Sequence, residues 1–74
     1  MSAPLNLVIN GQNRSLPEVH PGASLAALIE TLGLKPDRIA LELNGEIAPR
    51  SQWANAQVKD GDRVEIVHFV GGGS

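Results

Sequence analysis

The chain contains no cysteine. Disulfides, thiolate metal ligands and a thiol nucleophile are therefore excluded, and the redox compartment is left open. It also lacks a basic block, and its formal net charge is -2, which argues against nucleic acid as a partner. No apolar run approaches the roughly 20 residues that a membrane span needs. No charged N-terminal region followed by an apolar stretch marks a signal peptide, so the expectation is a soluble, cytoplasmic protein with no membrane association. His20 and His68 lie far apart, with no carboxylate at a metal-ligand spacing, and each is read as a satisfied or solvated histidine. No Ser/His/Asp set, phosphate-cradling loop or paired carboxylates can be assembled. The chain does not read as an enzyme, and no bound cofactor or metal is expected. At 74 residues it is one domain, and a domain of this size buries only about 60% of its unfolded surface. That leaves room for one modest core and little for an enclosed active site.

What is present is a regular alternation. Leu5, Leu7 and Ile9 fall on one face of a period-two strand. Asn10-Gly11-Gln12-Asn13 tolerates positive φ and reads as a tight turn. Arg14 to Glu18 reads as a short second strand, with Pro17 placing it at an edge or near its own end. Leu25, Leu28, Ile29 and Leu32 follow the stripe of an amphipathic helix of about three turns. Ser24 (or Ala23) stands at its N-cap, Gly33 at its C′ position, and Pro36 beyond the stop. Ile39, Leu41 and Leu43 alternate again, and Asn44-Gly45 is a turn signal. Glu46 to Arg50 is a short extended piece ended by Pro49, with Glu46 and Arg50 placed to pair on the surface. Ser51 can cap a single helical turn. Trp53 reads as a lid on the core. Asp60-Gly61 makes a turn, and Arg63 to Val70 is the last strand. One helix over one sheet face is an α+β arrangement. The first and last strands, the most apolar, are expected side by side and parallel at the centre.

The last strand runs straight into Gly71-Gly72-Gly73-Ser74. Consecutive glycines hold regular structure poorly, so residues 71–74 read as a flexible tail on a domain spanning residues 1–70. Without Cβ atoms the tail is thin enough to thread a narrow channel, which suits chemistry on a terminal carboxylate. The same composition also describes a simple linker. If Val64 and Ile66 face the helix, Val67 and Phe69 lie on the uncovered face. Together with Val70, Gly71 and Gly72 they form a candidate docking surface for a partner.

Three stretches carry a resemblance. Leu43-Asn44-Gly45-Glu46-Ile47-Ala48-Pro49-Arg50-Ser51-Gln52-Trp53, then Lys59-Asp60-Gly61-Asp62-Arg63-Val64-Glu65-Ile66-Val67, then Val70-Gly71-Gly72-Gly73 resemble the ThiS family of sulfur carrier proteins. The N-G-E-x-x-P-R-x-x-W run is the specific part. The D-G-D turn and glycine tail are shared with other small sulfur carriers. The resemblance implies the ubiquitin-like β-grasp fold, a mixed sheet of four to five strands with one main helix on one face. It also implies that an E1-like adenylating enzyme of the ThiF type joins the tail carboxylate to AMP from ATP. Sulfur supplied through a cysteine desulfurase or related route then replaces AMP. The resulting thiocarboxylate passes its sulfur to thiazole synthase (ThiG type) for the thiazole ring of thiamine.

On this resemblance the modified residue is Gly73, with Gly72 as second choice. One departure stands out. The family's reactive glycine is C-terminal, whereas Ser74 follows Gly73 here, so the chemistry requires that Ser74 be absent or removed. Three other readings use the same residues: a molybdopterin-type sulfur carrier, a ubiquitin-like modifier of lysines, and a β-grasp binding module for which the tail is immaterial.

Overall fold

The computed structural model describes residues 5–69. Five strands and one α-helix follow in the order β1 (Leu5–Ile9), β2 (Gln12–Leu16), α1 (Leu25–Thr31), β3 (Ile39–Leu43), β4 (Glu46–Ala48) and β5 (Arg63–His68). Their order across the sheet is β2-β1-β5-β3-β4. β1 and β5 are parallel neighbours and β5 is central, as the apolar content of the two strands predicts. The other pairings are antiparallel. Placing the most apolar strands innermost lets α1 cover both with its single apolar stripe.

Two Asn-Gly turns set the register of both hairpins. Asn10 and Gly11 have φ of 50° and 79°, and Asn44 and Gly45 have 53° and 85°. Positive φ at both central residues is the two-residue hairpin turn whose twist matches its strands. Pairing therefore resumes at once, with Ile9 opposite Gln12 and Leu43 opposite Glu46. This corrects the second strand, read from the sequence as Arg14 to Glu18. The tight turn starts it at Gln12, and it ends at Leu16, ahead of Pro17.

The helix is also shorter than the stripe suggests, seven residues rather than three turns. Ser24 is its N-cap, and its hydroxyl accepts from Ala27 N at 3.1 Å. At the other end Gly33 N donates to Glu30 O and Leu34 N to Ile29 O. That pair of bonds, with Gly33 at φ 74°, closes the helix and leaves Leu32 as its C-cap. The remaining N-terminal donors are satisfied by the segment after β4. Leu25 N donates to Ala56 O and Ala26 N to Trp53 O, so that segment is stitched across the helix start.

The core lies between α1 and one sheet face. Leu5, Leu7, Ile9, Ile39, Leu41, Val64 and Ile66 come from the sheet, and Leu25, Leu28 and Ile29 from the helix. Val58, from the segment before β5, is fully buried among them. Trp53 is buried too, and its Nε1–H donates to Ala48 O at 2.7 Å, so it closes the core as the sequence suggests. Its turn is a 3-10 turn over Arg50–Gln52. Ser51 lies inside that turn rather than capping it, because Pro49, with extended backbone, occupies the position before it. Glu46 and Arg50 are both exposed, and no ion pair joins them among the described residues.

Candidate functional surface

The site is assembled around β5, and two asparagines hold that strand from its two sides. On the β1 side the ladder runs from Val8 N to Asp62 O at 2.9 Å and from Asn10 N to Val64 O at 3.0 Å. There β1 turns away. The Asn10 side chain then takes over, its Oδ1 accepting from Ile66 N at 2.7 Å and its Nδ2 donating to Ile66 O at 3.2 Å. One amide stands in for the acceptor and the donor that a continued β1 would have offered. On the β3 side Asn44 N donates to Arg63 O, and Asn44 Oδ1 accepts from Arg63 N at 2.9 Å. Asn44 Nδ2 also reaches Asp62 Oδ1 at 3.1 Å.

The aspartates of the D-G-D turn anchor the start of the strand. Asp62 Oδ2 accepts from Lys59 N and Asp60 Oδ1 from Asn6 N, each at 2.8 Å. A rigid strand of known direction is therefore aimed at its own C-terminal end. Replacing Asn10 with alanine removes two hydrogen bonds and leaves a side chain that disfavours φ 50°. The expected loss is about 3 kcal/mol, at roughly 1 kcal/mol per net hydrogen bond plus about 1 kcal/mol of strain. Asn10→Gly, which keeps the turn, should lose less. Chemical denaturation of the two variants against the parent checks both values.

Beyond Ile66 the strand presents its uncovered face. Val64 and Ile66 point into the core, while Val67 and Phe69 point away and are 54% and 58% exposed. β5 ends at His68, short of the strand end at Val70 read from the sequence, but Phe69 N still donates to Arg38 O at 2.9 Å, so bonding to the segment before β3 continues one residue past the strand. Ile47 is 78% exposed and lies on the same face, opposite Glu42. Glu42 in turn lies opposite Glu65. The open face thus carries apolar side chains beside two carboxylates set directly across from each other, an arrangement that lowers the stability of the isolated sheet. The sequence reading names Val67 and Phe69 and omits Ile47, because a three-residue strand carries no period from which to read its face. The other candidate residues, Val70, Gly71, Gly72 and Gly73, lie outside the described residues, as does the tail as a whole.

Two hollows adjoin this frame. One, of about 320 Å³, lies at the C-terminal end of β5 and is lined by Gly33, Leu34, Lys35, Arg38, His68 and Phe69. A larger one, about 430 Å³, runs between α1 and the turn carrying Arg50 and Trp53. His20 and His68 are exposed, and no group of three or more metal-ligating side chains occurs among the described residues. None of the described helices is long and apolar enough to cross a membrane.

Comparison with known proteins agrees with this fold. The model of the ThiS family matches residues 7–73. A thiazole synthase of Paramagnetospirillum magneticum is 43% identical over 70 residues, which is 95% of this chain and 21% of that protein. A second thiazole synthase, from Magnetococcus marinus, is 29% identical, and the match covers 20% of its length. This chain therefore spans about a fifth of those two relatives. The sulfur carrier protein ThiS of Escherichia coli is 36% identical over 52 residues, covering 70% of this chain and 79% of that one. The crystal structure of the thiamine biosynthesis protein ThiS from Geobacter metallireducens superimposes with a TM-score of 0.80. Its sequence is 33% identical, and the match covers 93% of this chain and all of that one.

Proposed function

Because the chain belongs to the ThiS family, the sulfur carriers of thiamine biosynthesis, we propose that it is a co-substrate whose chemistry takes place on the carboxylate that Gly73 bears once Ser74 is absent. A carboxylate is a poor electrophile, so a partner adenylating enzyme first converts it to an acyl adenylate with ATP. Sulfur at the oxidation level of sulfide, supplied through a donor enzyme, then attacks the acyl carbon, and the new C–S bond replaces the C–O bond to AMP, which leaves, giving a thiocarboxylate. No cysteine is needed, because the sulfur is carried on the backbone terminus. Thiazole synthase is the sulfur acceptor in this reading, supported by the two thiazole synthases that contain a segment similar to this chain. The observation that carries the reading is the family match itself, which runs through the glycines to Gly73.

The exposed face of Ile47, Val67 and Phe69 serves as the docking surface that delivers the terminus. The glycines suit two different enclosed sites, since any side chain there would have to fit both.

The experiment is intact-mass analysis of the chain ending at Gly73, incubated with the adenylating enzyme, ATP and a sulfur source. A gain of about 16 Da, oxygen replaced by sulfur, is expected after this acyl activation. An unchanged mass, under conditions that load another carrier, would reject the reading. Recovery instead of Gly73 linked to lysine side chains of other proteins would favour a protein modifier.

A further inference from the structure

The pairing between β1 and β5 ends before β5 does. Along β5 the backbone groups alternate between neighbours. Val64 O and both groups of Ile66 are directed at β1 and Asn10, whereas both groups of Arg63 and the N–H of Phe69 are directed at β3 and its flanks. The same alternation directs the N–H and C=O of His68 to the β1 side. No strand stands there among the described residues. β1 has already turned at Asn10 and Gly11, and the Asn10 amide donates to and accepts from Ile66. On its other side β5 is backed by β3, with Ile39 opposite His68. The result is a short open edge on a strand that is held extended, which is a template for a strand from another protein. The Asn10 amide closes the internal ladder at Ile66, so an incoming strand has one register at which to begin.

The chemistry brings a partner to this edge. Gly73 is four residues beyond Phe69, and a chain spans at most about 3.3–3.6 Å per residue. On the same scale the reacting carboxylate lies within roughly 15 Å of Phe69. An enzyme that encloses Gly73 therefore works within that reach of the end of β5. We propose that thiazole synthase adds an extended segment to β5 at His68, in line with β1 and beyond Asn10, and so aligns the terminus with its site. This rests on the reading above that thiazole synthase receives the sulfur. It adds a backbone contact to the side-chain docking face.

The test is a chemically synthesised chain ending at Gly73 and N-methylated at His68, compared with the unmodified chain of the same length. The methyl group removes one donor and obstructs strand approach while leaving every side chain in place. The expected results are an unchanged melting temperature, and binding to the thiazole synthase of the same organism weakened at least about tenfold, the effect of losing roughly 1.4 kcal/mol. In the unmodified chain the His68 amide should exchange with solvent more slowly once the complex forms. Equal binding by the two chains, with no protection at His68, would overturn the strand addition and leave the carrier reading standing. A lowered melting temperature would overturn it as well, by showing that the His68 N–H already has an internal partner. Sulfur loading of the unmodified chain without any binding to thiazole synthase would overturn both this proposal and the choice of acceptor.

Discussion

Changing Phe69 to alanine and Val67 to threonine together is expected to slow sulfur loading or transfer by about 100-fold while leaving the fold intact. The size follows from interface energetics. Truncating a large apolar anchor in a protein interface costs about 2–4 kcal/mol, and about 2.7 kcal/mol corresponds to a factor of 100. The fold should tolerate the change, because both side chains point away from the core and are more than half exposed. Exposed substitutions usually alter stability by no more than about 0.5 kcal/mol. Threonine keeps the branched Cβ that suits an extended backbone, and the Phe69 N–H to Arg38 O bond involves no side chain. The measurement is the dissociation constant for each partner enzyme, beside the loading rate. Ile47→Ala tests how far the contact spreads across the sheet. If loading, transfer and both affinities are unchanged in the double variant, the open face is not where partners dock.

Leu28→Ala is expected to act in the opposite way, lowering stability severely with no direct effect on docking. Leu28 is 0% exposed at the centre of the helix stripe. Removing a buried leucine side chain costs about 2–5 kcal/mol in lost burial and residual cavity. At roughly 0.05–0.15 kcal/mol per residue, a domain of this length has only about 4–11 kcal/mol in total. The substitution thus consumes a large share of it. In urea the midpoint should fall with little change in slope, and loading should decline in proportion to the folded fraction. A variant that unfolds at the parental midpoint would show that the helix is not the cover of this core.

These two sites differ in how directly the sequence reveals their place in the fold. Leu28 belongs to a stripe at i, i+3, i+4 and i+7, and burial follows from that period because only one face of the helix meets the sheet. The strands are readable for the same reason. Leu5, Leu7 and Ile9 alternate, as do Ile39, Leu41 and Leu43, and each set is directed at the helix. The two Asn-Gly pairs mark their turns, since few residues accept positive φ twice in succession. Val67 and Phe69 are legible only by parity with Val64 and Ile66.

Other features carry no local signal. Val58 lies in an irregular segment without a period, yet it is fully buried because that segment crosses the start of α1. Nothing in the turn sequence tells that the Asn10 amide will clasp Ile66, 56 residues away. The start of β2 is not legible either, because turn composition does not by itself say where pairing resumes. Ile47 sits in a strand too short to show a face.

The amino-acid sequence alone determined the kind and order of the elements, the parallel central pair and the family, because these follow from local hydrophobic period, turn chemistry and a specific run of residues. Only the tertiary structure decided which apolar side chains remain uncovered, how two asparagines hold β5, and where that strand loses its neighbour. Those features depend on which distant segments meet, and hydrogen bonds and burial between them exist only once the chain has folded.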